Sequence, residues 1–168
     1  MAKGRMLNRT WRDEQIRPGY VYMIFRSDGL IKIGYAANVK RRLSCLRYEN
    51  RPRKLSVDSV IYAKHMGVME TFWHDIFDYY RKEGEWFDLP DLCVNMFRTC
   101  SYIYTEVEPV IEATAYDMAE VLVEYYGHVV MPMFDNLEGR YWKRYEENAV
   151  EAQSWQLFRK QVRRRLHG

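Results

Sequence analysis

The stretch Pro18–Gly34, PGYVYMIFRSDGLIKIG, constrains this chain more than any other. Two short runs alternate apolar and polar residues on either side of Ser27-Asp28-Gly29, a turn that supplies the positive-φ residue a tight hairpin needs. The spacing predicts a β-hairpin with Tyr22 on the first strand and Lys32 on the second, ten residues apart. Such a separation brings both side chains near the open end of neighbouring strands, where they can share one site.

The chain continues as alternating helical and extended patterns. Asn38 is a suitable N-cap for a helix through VKRRLSCLRYEN, with Val39, Leu43 and Leu46 as its inner stripe. Arg42 falls at the edge of that stripe, where it either borders a cleft or snorkels to solvent, while Lys40 and Arg41 point away. A polar turn with Pro52 leads into the strand Leu55–Lys64, read with Leu55, Val57, Ser59, Ile61 and Ala63 on one face. Residues 67–82 read as a second helix with a wide apolar arc that includes Val68, Phe72, Trp73, Ile76, Tyr79 and Tyr80. Glu70 lies at the margin of the arc with His74 one turn on; the two are either a metal ligand and its neighbour or a surface pair. Glu83–Leu89 reads as a turn and a short strand ended by Pro90, with Trp86 and Phe87 closing the core. Beyond Asp91 the pattern turns helical: Leu92–Tyr104 is ambiguous, Pro109–Tyr126 is an amphipathic helix ending at Gly127, Gly127–Gly139 is a connection, and Tyr141–His167 is mostly helical.

The net charge of +3 conceals an uneven distribution. Residues 1–90 hold 17 Lys and Arg against 11 Asp and Glu, whereas residues 91–168 hold 9 against 12. Between Ile31 and Lys54 eight basic residues face a single acid, Glu49. That bias fits a surface that meets phosphates, although a solvated helix face gives the same pattern. Lys40, Arg41, Arg47, Arg51, Arg53 and Lys54 are the candidate DNA contacts. Residues 1–17, with Arg5, Arg9, Arg12 and Arg17, read either as a basic arm on DNA or as a disordered start. Cys45, Cys93 and Cys100 lack C-x-x-C spacing, which argues for reduced thiols rather than a disulfide framework or a zinc site. No apolar run of membrane-spanning length and no secretory signal is present, so the expected location is the cytoplasm.

Tyr20-Val21-Tyr22 and Lys32-Ile33-Gly34, followed in order by Asn38, Arg42, Glu70 with His74, and Gly84-Glu85-Trp86-Phe87, resemble the motifs of the GIY-YIG endonucleases, in particular the bacteriophage and meiotically-upregulated-gene type branch. The resemblance covers residues 19 to about 89. It implies an α+β fold in which a small antiparallel β-sheet is flanked by helices, here followed by a helical C-terminal extension. The expected organisation is a basic arm over 1–17, a nuclease-like domain over 18–90 and a helical accessory region over 91–168.

It further implies a metal-dependent DNA endonuclease or nickase of a phage host-cell cytoplasm. Tyr22 would be the general base or water-positioning group, Arg42 the phosphate clamp, and Glu70 the ligand of one Mg²⁺ or Mn²⁺. The chain departs from the family pattern at Lys32, which replaces the second-motif tyrosine, and at Tyr35, which stands where some members place an assisting histidine and either takes over part of that role or only stacks on DNA. A phenol with a pKa near 10 needs a cationic neighbour to ionise at neutral pH, and Lys32 is the expected one. His74 is an accessory candidate. Two other readings stay open: a non-catalytic nucleic-acid-binding module of the same fold, and a phage or mobile-element interaction protein that binds a partner or a second copy through residues 109–167.

Overall fold

The computed structural model describes residues 11–107 and 111–135. A five-stranded antiparallel sheet in the order β3-β1-β2-β5-β4 forms its centre. Its strands are β1 (Gly19–Arg26), β2 (Ile31–Ala36), β3 (Leu55–Ala63), β4 (Arg81–Glu83) and β5 (Trp86–Phe87). The helices are α1 (Val39–Glu49), α2 (Met66–Ile76), α3 (Asp91–Tyr102), α4 (Ala115–Tyr126) and α5 (Met131–Asp135). This is a small α+β fold. The expected helices of Tyr141–His167 and the residues of the basic arm before Trp11 lie outside the described residues.

The hairpin forms as the alternation predicts, with Gly29 at φ 94° and its amide donating to the Arg26 carbonyl at 2.9 Å. Register follows from the connection Ser27–Leu30: Tyr22 faces Gly34 and Ile24 faces Lys32. Lys32 therefore shares the face of Tyr22 but stands toward the turn, one row away from it, rather than at the open end.

Two apolar clusters fill the two faces. Tyr22, Ile24, Leu46 and Leu55 pack beneath α1 with Val39, Leu43 and Val60. Asn38 caps α1 through Oδ1, which accepts from the Arg41 amide at 3.0 Å. On the opposite face Val21, Met23, Ile33 and Ile61 pack with Phe72, Trp73 and Ile76 of α2, Met96 and Phe97 of α3, and Met118 and Leu122 of α4. Sheet, α2, α3 and α4 thus share one continuous core across residue 90. Cys93 and Cys100 are buried in it as small apolar groups, whereas Cys45 is exposed.

Several sequence expectations change in the structure. β3 does not keep one face inward, because its pairing with β1 slips between Met23 and Ile24, where Ser59 and Val57 are successive partners. The extra residue at this β-bulge inverts the alternation, so Leu55 packs under α1 while Ile61 and Ala63 enter the other core. The helix expected over 67–82 ends at Ile76; a 3-10 turn over Asp78–Tyr80 and strand β4 follow, and Tyr79 is 88% exposed. The helix expected from Pro109 begins at Ala115, where Thr114 and Asp117 form a reciprocal capping box. Ahead of it Ala113 makes a parallel bridge to Ala63. The stretch after Gly127 contains a 3-10 turn and α5 rather than a plain connection.

Candidate functional site

The site grows from the short length of β5. Only Ile31 and Lys32 of β2 find partners there, facing Phe87 and Trp86, so among the described residues β2 has an open edge from Ile33 onward. Side chains of α2 fill that edge. His74 Nε2 lies 2.6 Å from the Ile33 carbonyl, and the Tyr35 amide acts to hold down the pKa of the Glu70 carboxyl. A carbonyl only accepts, so Nε2 carries the imidazole proton.

Glu70 and His74 are accordingly buried, which rules out the surface pair that the sequence left open. Burial pushes the Glu70 carboxyl up to about 8, helped by the nearby Glu85 charge and opposed by Lys32 and Arg81. Burial likewise pulls His74 down to about 4, against its bond to Ile33. His74 is a neutral pin that fixes the edge of β2.

Tyr22 sits on the other face, beneath α1, and its ring lies over Gly34. A Cβ at position 34 would stand 2.7 Å from Tyr22 Cζ, so only glycine lets the phenol cross β2 toward the open edge. There the Arg42 guanidinium is the neighbouring cation that acts on the phenol oxygen. Burial raises the Tyr22 pKa to about 12; Arg42 pulls it down, while Glu70 and Glu85 add to the rise. Tyr22, Arg42 and Glu70 therefore converge on one edge of the sheet, although Glu70 arrives from the opposite layer.

Lys32, expected to be the cation that lowers the Tyr22 pKa, is committed elsewhere. Its ammonium pairs with the Glu85 carboxylate and lies 5.8 Å from the Trp86 ring centre. Against the upward pull of burial, that bond holds Glu85 below the usual carboxylate range. The cation that reaches the phenol is Arg42. Tyr35 does not face the Tyr22 phenol. Gly34 presents its face to Tyr22, so Tyr35 projects from the other face, where its hydroxyl donates to Glu14 at 3.2 Å and accepts from Arg12 at 3.4 Å. Its contribution to the edge is a backbone amide.

Glu85 had no role in the sequence reading, and its signal lay in Gly84-Glu85: a glycine at φ 54° turns β4 into β5 and aims the next side chain at Lys32. Arg26 secures this hairpin. Its buried guanidinium bonds Asp28 at 2.8 and 2.9 Å and Glu83 at 2.9 Å, and stacks 4.4 Å from the Trp86 ring centre.

Lys40, Arg41, Arg47, Arg51, Arg53 and Lys54 are all exposed, on α1 and the turn that follows it. Arg51 stacks on Tyr48 at 4.4 Å, and Arg53 lies 3.5 Å from Asp28. These side chains form a basic rim beside Arg42.

Residues 19–113, more than half of the chain, match the T5orf172 domain. The chain belongs to the T5orf172 domain family. The T5orf172 domain is phage-associated and nuclease-related, and its match spans β1 through α3 and the bridge at Ala113, the part that builds the open edge. No curated protein and no solved structure matches this T5orf172 chain.

A divalent cation at this edge would have Glu70 as its protein ligand. Among the described residues no group of three or more His, Cys, Asp and Glu could hold one by themselves. Glu70 nevertheless fits a Mg²⁺-type ion, which uses one or two carboxylates and completes its shell with water and substrate phosphate. Burial is what keeps the Glu70 proton on up to about 8, against the pull of Lys32 and Arg81, and a cation at the same oxygens would add to that pull. Across the described residues no helix is long and apolar enough to cross a membrane.

Proposed function

We propose that this chain is a DNA endonuclease or nickase of the GIY-YIG type, dependent on Mg²⁺ or Mn²⁺. The observation that carries the reading is the meeting of a buried phenol, a guanidinium and a buried carboxyl at one open sheet edge beside a basic rim. Phosphodiester hydrolysis needs those groups: a base or water-orienting oxygen, a cation for the charge that develops on phosphate, and an acidic oxygen for a metal.

The residues divide the work as follows. Arg42, with 40% of its side chain exposed, clamps a non-bridging phosphate oxygen by charge-assisted hydrogen bonds. As the phenolate, its own proton already lost to solvent, Tyr22 presents its oxygen to the attacking water and takes a proton as the water oxygen bonds to phosphorus. The P–O3′ bond breaks on the opposite side, leaving a 5′-phosphate. Glu70 would hold the divalent ion, whose charge would stabilise the negative charge that develops in the reaction. Arg42 assists Tyr22 as well, since its charge favours the phenolate. Lys32, paired with Glu85, orders the floor of the site, and Lys40, Arg41 and the rim to Lys54 carry the sequence-independent affinity for DNA. We assign residues 91–168 an accessory role, including any contact with a second copy or a partner through 109–167.

Plasmid nicking by the purified chain with Mg²⁺ or Mn²⁺ tests the reading. Cleavage lost in both Tyr22→Phe and Glu70→Ala, with DNA affinity retained, is the expected result. Salt-sensitive binding with no cleavage of plasmid or branched DNA would replace it with a non-catalytic module.

A further inference from the structure

One row beyond Tyr22 along β1, on the same face, stands an aromatic pair that the proposed chemistry does not use. Tyr20 of β1 and Tyr62 of β3 are direct register partners, with ring centres 5.0 Å apart and planes inclined by 59°. A cross-strand aromatic pair can serve sheet stability alone. This one differs in its exposure and its place. Tyr20 is 37% exposed, whereas Tyr22 is almost wholly buried. On its other side Tyr20 faces Ala36, whose small side chain leaves room beside the ring. Asn38 caps α1 two residues after Ala36, so the basic start of α1, with Lys40, Arg41 and Arg42, follows closely in the chain on the strand partner of Tyr20.

Tyr20 and Tyr22 are two residues apart on one strand, roughly 7 Å. A nucleotide next to the phosphate held by Arg42 therefore has its base within reach of the Tyr20 ring. Bases in a continuous duplex are stacked inside the helix and cannot lie on a protein ring, whereas unpaired bases readily do so.

We infer that Tyr20, supported by Tyr62, is a stacking platform for an unpaired base next to the scissile phosphate, which makes DNA with a single-stranded branch or flap the preferred substrate. The inference rests on the proposed role of Tyr22 and Arg42. The occupant follows from continuity with that site and from the positive charge at the start of α1, which suits a nucleic-acid strand.

Binding of the full chain without metal tests it independently of cleavage. The probes are a flap oligonucleotide, with 2-aminopurine at its first unpaired position, and a continuous duplex of the same sequence. Wild type and Tyr20→Phe should quench the 2-aminopurine and bind the flap roughly 10-fold more tightly than the duplex. Tyr20→Ala and Tyr20→Leu should lose the quenching and the preference while keeping duplex affinity; the leucine variant preserves apolar bulk and so guards against a folding defect. A wild type without flap preference, or a preference that survives both Tyr20→Ala and Tyr20→Leu, overturns the platform. The nuclease reading fails separately: quenching that depends on Tyr20 in a protein that cleaves neither probe with Mg²⁺ or Mn²⁺ supports the platform and removes the chemistry.

Discussion

The Tyr22 phenol crosses β2 directly over Gly34, its register partner, close enough that a Cβ there would stand 2.7 Å from Cζ. The glycine of the second motif and the tyrosine of the first are thus two halves of one steric requirement. The absent side chain makes the passage through which the phenol reaches Arg42 and the open edge.

Gly34→Ala should therefore displace the phenol without removing any polar group of the site. Overpacking of this kind costs ~1–3 kcal/mol, which a melting curve will register as a modest loss. Cleavage should fall by about 100-fold, since a misplacement near 1 Å is enough for a loss of that order. A Gly34→Ala protein that cleaves at the wild-type rate would show that the Tyr22 position is unimportant.

Glu70 and His74 make opposite contributions to stability as pH changes. Glu70 has its pKa raised to about 8 in the folded chain, so the folded state holds the extra proton and stability falls as pH rises from about 4.5 to about 8. His74 is lowered to about 4, so the unfolded state holds the extra proton and stability is lost as pH falls from 6.5 toward about 4. The two slopes oppose each other at mildly acidic pH, and Glu70 acts alone above it. Denaturant titrations should show wild type losing stability between pH 6.5 and 8, with Glu70→Gln flat over the same range. In the upper half of that window Mg²⁺ should raise the melting temperature of wild type and leave Glu70→Gln unchanged.

Glu85→Ala removes the partner of a buried ammonium. Glu85 is itself 45% exposed in its side chain, so the cost should be ~1–2 kcal/mol, well below that of breaking a fully buried pair. Lys32→Met in the same chain should recover part of the loss, because the apolar chain no longer needs a counter-charge. A double-mutant cycle with no coupling between the two positions would contradict the pairing.

Arg41→Ala should weaken DNA binding uniformly across sequences and reduce the slope of log affinity against log salt by about 1. Arg41 is exposed on α1 and is placed to meet phosphate rather than the reacting atoms. Its loss should leave the cleavage rate at saturating DNA unchanged.

The sequence carried the local structure well. Alternation about Asp28-Gly29 specified the hairpin, and Asn38 with Val39, Leu43 and Leu46 specified α1 and its buried stripe, because both patterns are set by residues close together in the chain. Its failures have physical causes of longer range. The β3 bulge depends on pairing with β1, and α2 ends at Ile76, where the chain turns into the 3-10 segment and β4, although the apolar pattern runs on to Tyr80. Periodicity within one segment records neither.

The same division holds for the site. Sequence alone determined which side chains are available: Tyr22, Arg42, Glu70, and a glycine where a phenol must pass. Tertiary structure decided how they are used. The two-residue β5 leaves an open edge on β2, α2 brings Glu70 and His74 around it from the far layer, and Glu85 captures Lys32 so that Arg42 becomes the cation at the phenol. Those outcomes depend on burial and on contacts between distant segments, which shift charge and proton affinity in ways that residue type and spacing do not encode.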